Sequence, residues 1–348
     1  MNAASNLALN WAEQGRLPDP MLRAGIRRLL KARLAEIQCG DTEAAAELNE
    51  KFVADMRRAR VALLPEKANE QHYMIPEAFF AEVLGSYRKY SSCYWSPGTT
   101  TLDEAEAEAL ALTCERAGLT DGQDVLELGC GWGSLTLWMA TCYPNSRIHA
   151  LSNSRSQRAY IEAEAARRGL GNIRVTTCDI NEFNSSDRYD RIVSVEMFEH
   201  LRNWREAFRR VRGWLKQNGQ FFMHVFAHRT TPYEFVARDD SDWMSRYFFS
   251  GGMMPSDDLA LRFQDDLQVV GRWRWDGTHY ERTANAWLAN MDARRAVVYP
   301  ILEQTYGADQ AALWWVRWRI FFMSCAELFG YDHGQQWWVG HYLFRPRG

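Results

Sequence analysis

The chain has 348 residues, of which 47% are hydrophobic and 24% charged, a composition typical of a globular protein. The formal net charge of −3 gives no general attraction to nucleic acid, so we expect no nucleic-acid partner. The seven cysteines are irregularly spaced and form no CxxC pair, which argues against a disulfide framework or a metal site. They favour a reducing compartment, and because the first residues lack the apolar run of a signal peptide, we predict a cytoplasmic location.

Residues 1–100 are predicted to form a helical extension that ends in a covering segment. Ala, Glu and Arg at helical spacing predict a helix over residues 44–60. Before it lies a cluster of basic residues without intervening acids: Arg23, Arg27, Arg28, Lys31 and Arg33. Such a cluster is typical of a solvated helix face. A membrane-surface helix is an alternative that the sequence leaves open but does not favour.

Between residues 101 and 228 short apolar segments alternate with helical ones. We predict strands over residues 123–128, 147–151, 173–177, 189–195 and 220–226, and helices over 102–117, 135–142, the segment that ends at 168, and 205–215. Strands that alternate with helices at this spacing form a parallel sheet with helices on both faces. The predicted fold is therefore α/β, with a doubly wound, mostly parallel sheet.

Residues 229–335 contain glycines, prolines and many aromatic residues, and we expect a helical substrate-binding cap there. Of the fifteen tryptophans, nine fall between Trp243 and Trp338. As a group they predict an aromatic pocket that suits a flat ligand or a cation. Loops and short helices are expected over residues 230–285. Strand-like sequence returns only near residues 338–345, so residues 336–348 are predicted to complete the core sheet.

The strongest motif follows the first predicted strand. Glu127 precedes glycines at alternate positions, Gly129, Gly131 and Gly133, and a helix follows. Glycine lets the backbone approach a ligand closely, and such sheets bind ligands at the carboxyl ends of their strands. The spacing departs from the G-x-G-x-x-G dinucleotide fingerprint, and no acid ends the second strand. A carboxylate two residues before a G-x-G-x-G loop is the usual mark of methyltransferases, so we predict S-adenosylmethionine as the cofactor.

Residues at the ends of later strands complete the predicted cofactor site. Ser152 and Gln157 follow the second strand and are expected to bind ribose hydroxyls. Asp179 and Ile180 follow the third strand and are expected at the adenine, with the acid accepting from its amino group. Val195, at the end of the fourth strand, is the last predicted contact. Polar residues at strand ends also serve as helix caps, and this alternative stays open.

Several segments resemble the cyclopropane fatty acid synthase superfamily: Tyr-Ser-Ser-Cys-Tyr-Trp at residues 90–95, the glycine loop, and Ser-Val-Glu-Met-Phe-Glu-His at 194–200. The segments at 242–252, 318–322 and 326–331 are similar to the coclaurine N-methyltransferase branch, whose members methylate benzylisoquinoline amines. The resemblance runs from about residue 10 to the end of the chain. It implies a class I, Rossmann-like methyltransferase fold and N-methylation of a small aromatic amine, which is the expected partner.

The resemblance includes informative departures. The synthases hold a bicarbonate ion in a cage that includes Cys, Glu, His and Tyr. By resemblance the Glu and His persist as Glu199 and His224, and His224 is counted with the substrate site. Ser92 and Phe321 stand at the Cys and Tyr positions. Without the thiol and the phenol a buried anion would lack donors, which is costly. The departures weaken a cyclopropanating function, and the N-methyltransferase branch also carries Phe at the position of Phe321.

Three titratable residues follow the fourth predicted strand, at the sheet edge that faces the cofactor. An amine attacks a methyl group only when unprotonated, and a carboxylate or an imidazole can accept its proton. By resemblance Glu196, Glu199 and His200 match residues implicated in binding and deprotonating the substrate amine. We assign Glu199 to the ammonium or the proton path, His200 to the general base and Glu196 to anchoring. A structural role for one of the three is the alternative.

Aromatic residues are predicted around both ligands. The residues expected to close over the methionine end of the cofactor are Tyr90, Ser91 and Tyr94, of which Tyr94 also touches the substrate. The expected walls of the substrate site are Trp318, Phe321 and Phe322. Arg317 stands where the plant enzymes tend to carry an aromatic residue. It would repel an ammonium, attract a substrate carboxylate, or point to solvent.

Two other functions stay open at this level. A lipid-modifying enzyme of the same superfamily would use the basic N-terminal cluster at a membrane surface. A cofactor-binding protein without catalysis has no physical need for three titratable groups beside the methyl donor. Association into a homodimer is also left open by the sequence.

Overall fold

A seven-stranded sheet forms the centre of the molecule in the computed structural model, which describes residues 3–37, 42–63, 75–236 and 242–348. Its strands are β1 (Asp124–Leu128), β2 (Arg147–Ser152), β3 (Ile173–Thr177), β4 (Tyr189–Val195), β5 (Leu215–His228), β8 (Leu267–Trp275) and β9 (Trp337–Pro346). The order is β3-β2-β1-β4-β5-β9-β8, and β6 (Tyr233–Glu234) and β7 (Met253–Met254) form a separate ribbon. This confirms the predicted α/β fold.

Twelve helices surround the sheet in the described ranges. They are α1 (Ala3–Glu13), α2 (Asp19–Ile37), α3 (Thr42–Arg58), α4 (Glu77–Val83), α5 (Leu102–Arg116), α6 (Ser134–Cys142), α7 (Arg155–Arg168), α8 (Trp204–Trp214), α9 (Trp243–Tyr247), α10 (Gly277–Ala293), α11 (Arg295–Tyr306) and α12 (Ala311–Gly330). Single 3₁₀ turns lie at Phe198–His200, Leu259–Arg262 and Tyr331–Gly334.

Local chemistry explains where the core helices begin and end. Thr101 and Glu104 form a capping box at the start of α5, in which each side chain accepts from the other residue's backbone N–H. Ser154 caps α7, and Gly169 ends it with a φ of 69°, a conformation that favours glycine. These signals are local, so the predicted core helices lie within a few residues of the observed ones.

The sheet reverses its strand order between β1 and β4, which places the functional crevice. β1 pairs in parallel with β2 on one side and with β4 on the other. The chain connections therefore leave β1 and β4 in opposite directions, and their carboxyl ends border an open crevice. The glycine loop after β1 and the Glu196-to-His200 segment after β4 both lie at this edge.

Strand β8 was not predicted, and the expectation of loops and short helices over residues 230–285 is wrong there. β9 runs antiparallel between β5 and β8, so β8 forms the edge of the core sheet. The register shifts between Val269 and Gly271, and an irregular strand of this kind lacks a clean alternation of polar and apolar residues. The proposed division at residues 100, 228 and 335 stays a prediction, although β8 joins residues 229–335 to the core sheet.

Three of the five basic residues of the N-terminal cluster form ion pairs with acids of the C-terminal half of the chain. Arg23 and Arg27 both pair with Glu327 on α12, at 2.9 and 2.6 Å. Arg33 pairs with Asp242 at 3.2 Å. These contacts hold α2 against the C-terminal half of the chain, which fits a helix packed on the protein better than one lying on a membrane.

Membrane-spanning helices, metal-ligating clusters and free cysteines can each be examined in the described ranges. No helix within them combines the length and apolar character needed to cross a membrane. No group of three or more potential metal-ligating side chains occurs in the same ranges. Six described cysteines are free thiols, and Cys39 lies outside the described residues.

A buried aspartate ties β8 and β9 to the loop before the second 3₁₀ turn. Asp257 accepts from Arg272, from Arg274 at 2.6 Å and from the Trp338 indole at 2.9 Å. Tyr342 donates its hydroxyl to the Asp257 carbonyl oxygen at 2.6 Å. One side chain thus satisfies donors from two strands.

We expect Asp257→Ala to destabilise the protein by about 3 kcal/mol, because partly buried charged donors lose their acceptor. Asp257→Asn keeps the shape and one acceptor oxygen, so it should cost clearly less. Urea denaturation at pH 7 measures both values. Equal stability of Asp257→Ala and the wild type would contradict this role.

Candidate active site

The three glycines of the loop after β1 serve different purposes. All three have positive φ values, which are 77° at Gly129, 51° at Gly131 and 78° at Gly133. A Cβ at Gly129 would lie 2.6 Å from the Met197 side chain, and one at Gly133 would lie 2.5 Å from Ile161. A Cβ at Gly131 would meet no atom within 4 Å, although Gly131 lines the crevice. Gly129 and Gly133 therefore allow close packing, whereas Gly131 leaves space for a ligand.

One end of the crevice is a cavity that contains the residues predicted for the nucleoside: Ser152, Gln157, Asp179 and Ile180. The Ser152 hydroxyl donates to Gln157 Oε1 at 2.6 Å, so Ser152 orients the amide. Gln157 Nε2 is buried and has no hydrogen-bond partner among the described residues. This donor suits a ribose hydroxyl.

The other end is a cavity that is lined by Tyr90, Ser91, Glu127, Ser134 and Val195, among others. Burial raises the pKa of Glu127 to about 8, opposed by a hydrogen bond from Thr136. The Ser134 hydroxyl is buried and has no partner in the described ranges. Unpartnered polar atoms at both ends fit an elongated polar ligand such as S-adenosylmethionine, which would extend over Gly131.

Lys89 also lines the second cavity and was missed by sequence reasoning. Its ammonium donates to Ser91 Oγ at 2.6 Å and to the Ser92 carbonyl oxygen at 2.5 Å. Burial lowers its pKa, which nearby Cys93, Glu196 and Glu106 oppose. A single lysine outside any periodic pattern gives no signal of burial. Its proximity to Tyr90 and Ser91 was the only available hint.

An aromatic cavity lies against the crevice and shares Tyr90, Glu196 and His200 with it. Its walls include Phe226, Phe249, Tyr280, Phe321 and Phe329. The rings of Tyr280 and Phe329 stack at 4.2 Å, which makes a flat wall. The predicted aromatic pocket is therefore present.

Phe321 faces this cavity, whereas the other two predicted wall residues support it from behind. Trp318 and Phe322 are completely buried. The Trp318 ring contacts Phe321 with a centroid distance of 5.6 Å. These three residues share one helix, and sequence spacing alone did not separate the face that lines the cavity from the face that packs.

Glu196 lies where the cofactor crevice meets the aromatic cavity, and it lines both. Its φ of 46° is unusual for a non-glycine residue and marks backbone strain at a functional site. Its carboxylate accepts from Ser92 N and the Tyr280 hydroxyl, both at 2.8 Å, and contacts His224 Nε2 at 3.1 Å. Burial raises the pKa of Glu196, while the charge of Lys89 and these donors oppose the rise.

Glu199 lies behind Glu196 and has fewer hydrogen-bond donors around it. Its side chain is buried, and Oε1 accepts from Phe226 N at 2.8 Å. Burial and then the negative charge of Glu196 raise the pKa of Glu199 well above its ordinary value. Two neighbouring carboxyls rarely ionise together. Three donors reach Glu196 and one reaches Glu199, so Glu196 is the carboxyl of the pair that ionises more readily.

His200 lines the aromatic cavity and the nucleoside end of the crevice. Its ring stacks on Phe249 at 4.6 Å. Burial lowers the pKa of His200 to about 4, although the negative charge of Glu196 opposes this shift. The imidazole is therefore neutral at pH 7.

Three other predicted residues support the site rather than line it. Tyr94 stacks on the His279 ring at 4.4 Å. His224 is completely buried beneath Glu196. Arg317 pairs with Glu13 at 3.0 Å and stacks over the Tyr247 ring at 3.8 Å, so it neither points to solvent nor attracts a substrate carboxylate.

The strand order, the glycine loop and the crevice that it borders define the chain as a class I S-adenosylmethionine-dependent methyltransferase. The model of the family described as mycolic acid cyclopropane synthetase matches residues 64–337. The chain belongs to this family.

The chain is more similar to an N-methyltransferase relative than to a cyclopropane synthase relative. The chain is 38% identical to (S)-coclaurine N-methyltransferase of Thalictrum flavum subsp. glaucum over 345 residues, 97% of this chain and 95% of the relative. The cyclopropane-fatty-acyl-phospholipid synthase of Escherichia coli (strain K12) is 30% identical over 63% of this chain and 54% of its own.

A solved structure agrees over nearly the whole chain. The crystal structure of coclaurine N-methyltransferase bound to N-methylheliamine and SAH matches with a TM-score of 0.95 and 37% identity, and covers 99% of this chain and 100% of that one. The predicted enzyme class and its cofactor, S-adenosylmethionine, are thereby confirmed.

We expect Gly131→Val to abolish S-adenosylmethionine binding without unfolding the protein, because the valine side chain would fill the crevice. Gly169→Val is the matched control, since Gly169 also has a positive φ and open space but lies at the end of α7. Calorimetric titration with the cofactor measures the effect. Wild-type affinity in Gly131→Val would refute the assignment of the loop.

Proposed function

We propose that this enzyme transfers a methyl group from S-adenosylmethionine to the nitrogen of a small aromatic amine of the benzylisoquinoline class. The observation that carries the proposal is the junction of the two cavities. There a carboxyl group that three donors reach, Glu196, and a neutral imidazole, His200, both face an aromatic cavity. The match to coclaurine N-methyltransferase supports the choice of substrate class.

The aromatic cavity suits the cationic form of such an amine. Ring faces attract a cation, and the stacked pair of Tyr280 and Phe329 offers a flat apolar surface to the rest of the molecule. Glu196 supplies the compensating charge at the end of the cavity that meets the crevice. The ammonium contact therefore belongs to Glu196 in this proposal, rather than to Glu199 as expected from the sequence.

His200 removes the proton that blocks attack. An amine with a lysine-like pKa costs roughly 4 to 5 kcal/mol to neutralise at pH 7. Burial, which lowers the pKa of His200, also lowers the pKa of an ammonium in the same cavity and so reduces the free-energy cost of releasing its proton. The ammonium gives one proton to the imidazole, and the freed nitrogen lone pair forms the new C–N bond as the methyl–sulfur bond breaks.

Glu199 serves a different purpose in this proposal. As a neutral acid it adds no second charge beside Glu196, and its bond from Phe226 N fixes β5 under the active site. We propose that it positions the segment after β4 rather than touching the amine.

The contacts of Glu196 argue against the alternative of a lipid-modifying enzyme. The Ser92 N–H and the His224 ring, at two positions of the bicarbonate cage, both contact the chain's own carboxylate, Glu196. A bicarbonate ion beside that carboxylate would be repelled and would lack these donors.

From the net charge and the cysteine spacing we propose that the enzyme is cytoplasmic and that its partner is a small molecule rather than nucleic acid. A homodimer is compatible with this proposal. Analytical ultracentrifugation distinguishes the 40.4 kDa monomer from a dimer.

We expect labelled methyl groups to pass from S-adenosylmethionine to secondary benzylisoquinoline-type or phenethyl-type amines, and not to unsaturated phospholipids. Glu196→Gln should reduce amine methylation at least 10-fold, because the ammonium loses its charged acceptor. Label on phospholipid alone would overturn the proposal and establish an acyl-chain enzyme.

We expect His200→Ala to reduce turnover about 100-fold or more while cofactor affinity changes little, because a positioned base is lost. Its activity should recover as pH rises and free amine accumulates. The wild type should show no inflection near pH 6.5, since the pKa of His200 is about 4. The exposed His333→Ala variant is the control, and a wild-type rate in His200→Ala at pH 7 would exclude His200 as the base.

A further inference from the structure

A line of hydrogen bonds runs from the Glu196 carboxylate through the sheet to α5. Glu196 Oε1 lies 3.1 Å from His224 Nε2, and His224 Nδ1 lies 2.9 Å from His341 Nε2. His341 Nδ1 lies 2.8 Å from Nη1 of Arg116, near the end of α5. His224 and His341 are cross-strand partners on β5 and β9, which brings their rings together.

The arginine sets the direction of this line. A guanidinium has donors and no acceptor, so His341 Nδ1 must accept from Arg116. Both imidazoles are completely buried, and burial followed by nearby positive charge or a neighbouring histidine lowers the pKa of each well below its usual range. A neutral His341 then carries its proton on Nε2 and donates to His224 Nδ1. His224 in turn donates from Nε2 to Glu196.

The surroundings leave both rings little freedom to adopt another arrangement. Trp275 contacts the His341 ring at 4.3 Å and meets His224 edge-on at 5.4 Å. Phe222 packs edge-on against His341 at 5.0 Å. Arg116 lies over the Trp273 and Trp275 rings, at 5.4 and 5.6 Å. An imidazole rotated by 180° would present carbon atoms in place of its two nitrogens and would break the bonds at both ends.

We propose that Arg116 is a remote positioning residue: through His341 and His224 it forces a donor onto Glu196 and so keeps that carboxylate ionised to receive the substrate ammonium. Arg116 itself touches neither ligand cavity. The predicted effect of Arg116 on amine binding rests on the proposed function. The predicted tautomers of His341 and His224 do not depend on it.

Other titratable groups also act on the Glu196 carboxylate. Apart from His224 they are Lys89, Cys93, Glu199, His200, Tyr280 and Cys325. A variant at Arg116 leaves all of them in place. A change in pH profile that appears on removing Arg116 therefore reports the line of hydrogen bonds.

The first test is nitrogen-15 NMR of histidine-labelled protein, which distinguishes the two neutral tautomers. At pH 7 we expect His224 and His341 both to be neutral and protonated on Nε2. In Arg116→Met this preference should weaken at His341. A proton on Nδ1 of either ring in the wild type would overturn the inference, whatever the substrate is.

The second test compares Arg116→Met, Arg116→Lys and Arg191→Met in the methyl-transfer assay between pH 6 and 9. Arg191 is the matched control, because it is a half-buried arginine that bonds the Ala117 and Gly118 carbonyl oxygens, next to the end of α5. We expect Arg116→Met to raise the KM for the amine about 10-fold at pH 6.5 and less at pH 8.5, since Glu196 protonates more easily.

Arg116→Lys keeps a cationic donor and should restore most of the wild-type KM. An unchanged pH profile in Arg116→Met, or an Arg116→Lys variant as impaired as Arg116→Met, would overturn the inference. If the wild type does not methylate the amine, the proposed function is refuted instead. The tautomers of His224 and His341 measured by NMR would then still test the role of Arg116.

Discussion

The structure depends on one largely buried acidic side chain, the Glu196 carboxyl group at the junction of two cavities. A carboxylate in such a place is costly unless donors surround it. Here backbone, phenol and imidazole donors converge on it from separate parts of the chain. The same donors hold the residue at a positive φ that is otherwise unfavourable. The Glu196 carboxyl group keeps this position because separate segments of the folded chain supply the donors around it.

The topology of the sheet supplies those donors. Strand β4 delivers Glu196 to the crevice, and β5 carries His224 beside it, because the two strands pair in parallel and in register up to Val195 and His224. Insertion of β9 next to β5 then places His341 behind His224. A cofactor crevice of common design is thereby joined to an aromatic cavity through a single acidic residue.

Sequence reasoning predicted what local patterns encode. The alternate glycines, the acid before them and the strand–helix alternation all lie within short segments, and each predicted cofactor residue near Ser152 or Asp179 lies in the crevice. What it missed depends on distant partners. β8 is a strand because β9 pairs with it, and Lys89 is buried because other segments close over it. Arg116 contacts His341, which lies more than two hundred positions away in the sequence. Neither the periodicity of apolar residues nor the spacing of motifs in the sequence reveals such contacts.

The most direct measurement concerns the protonation state of Glu196. A quaternary benzylisoquinolinium ion cannot gain or lose a proton, so its binding reports only protons that the protein exchanges. Calorimetric titrations at pH 7 with S-adenosylhomocysteine present, in two buffers of different ionisation enthalpy, measure that exchange. An ionised Glu196 predicts no net proton release and much weaker binding to Glu196→Gln. Release of close to one proton would show that Glu196 is protonated before the cation binds, which would contradict the account.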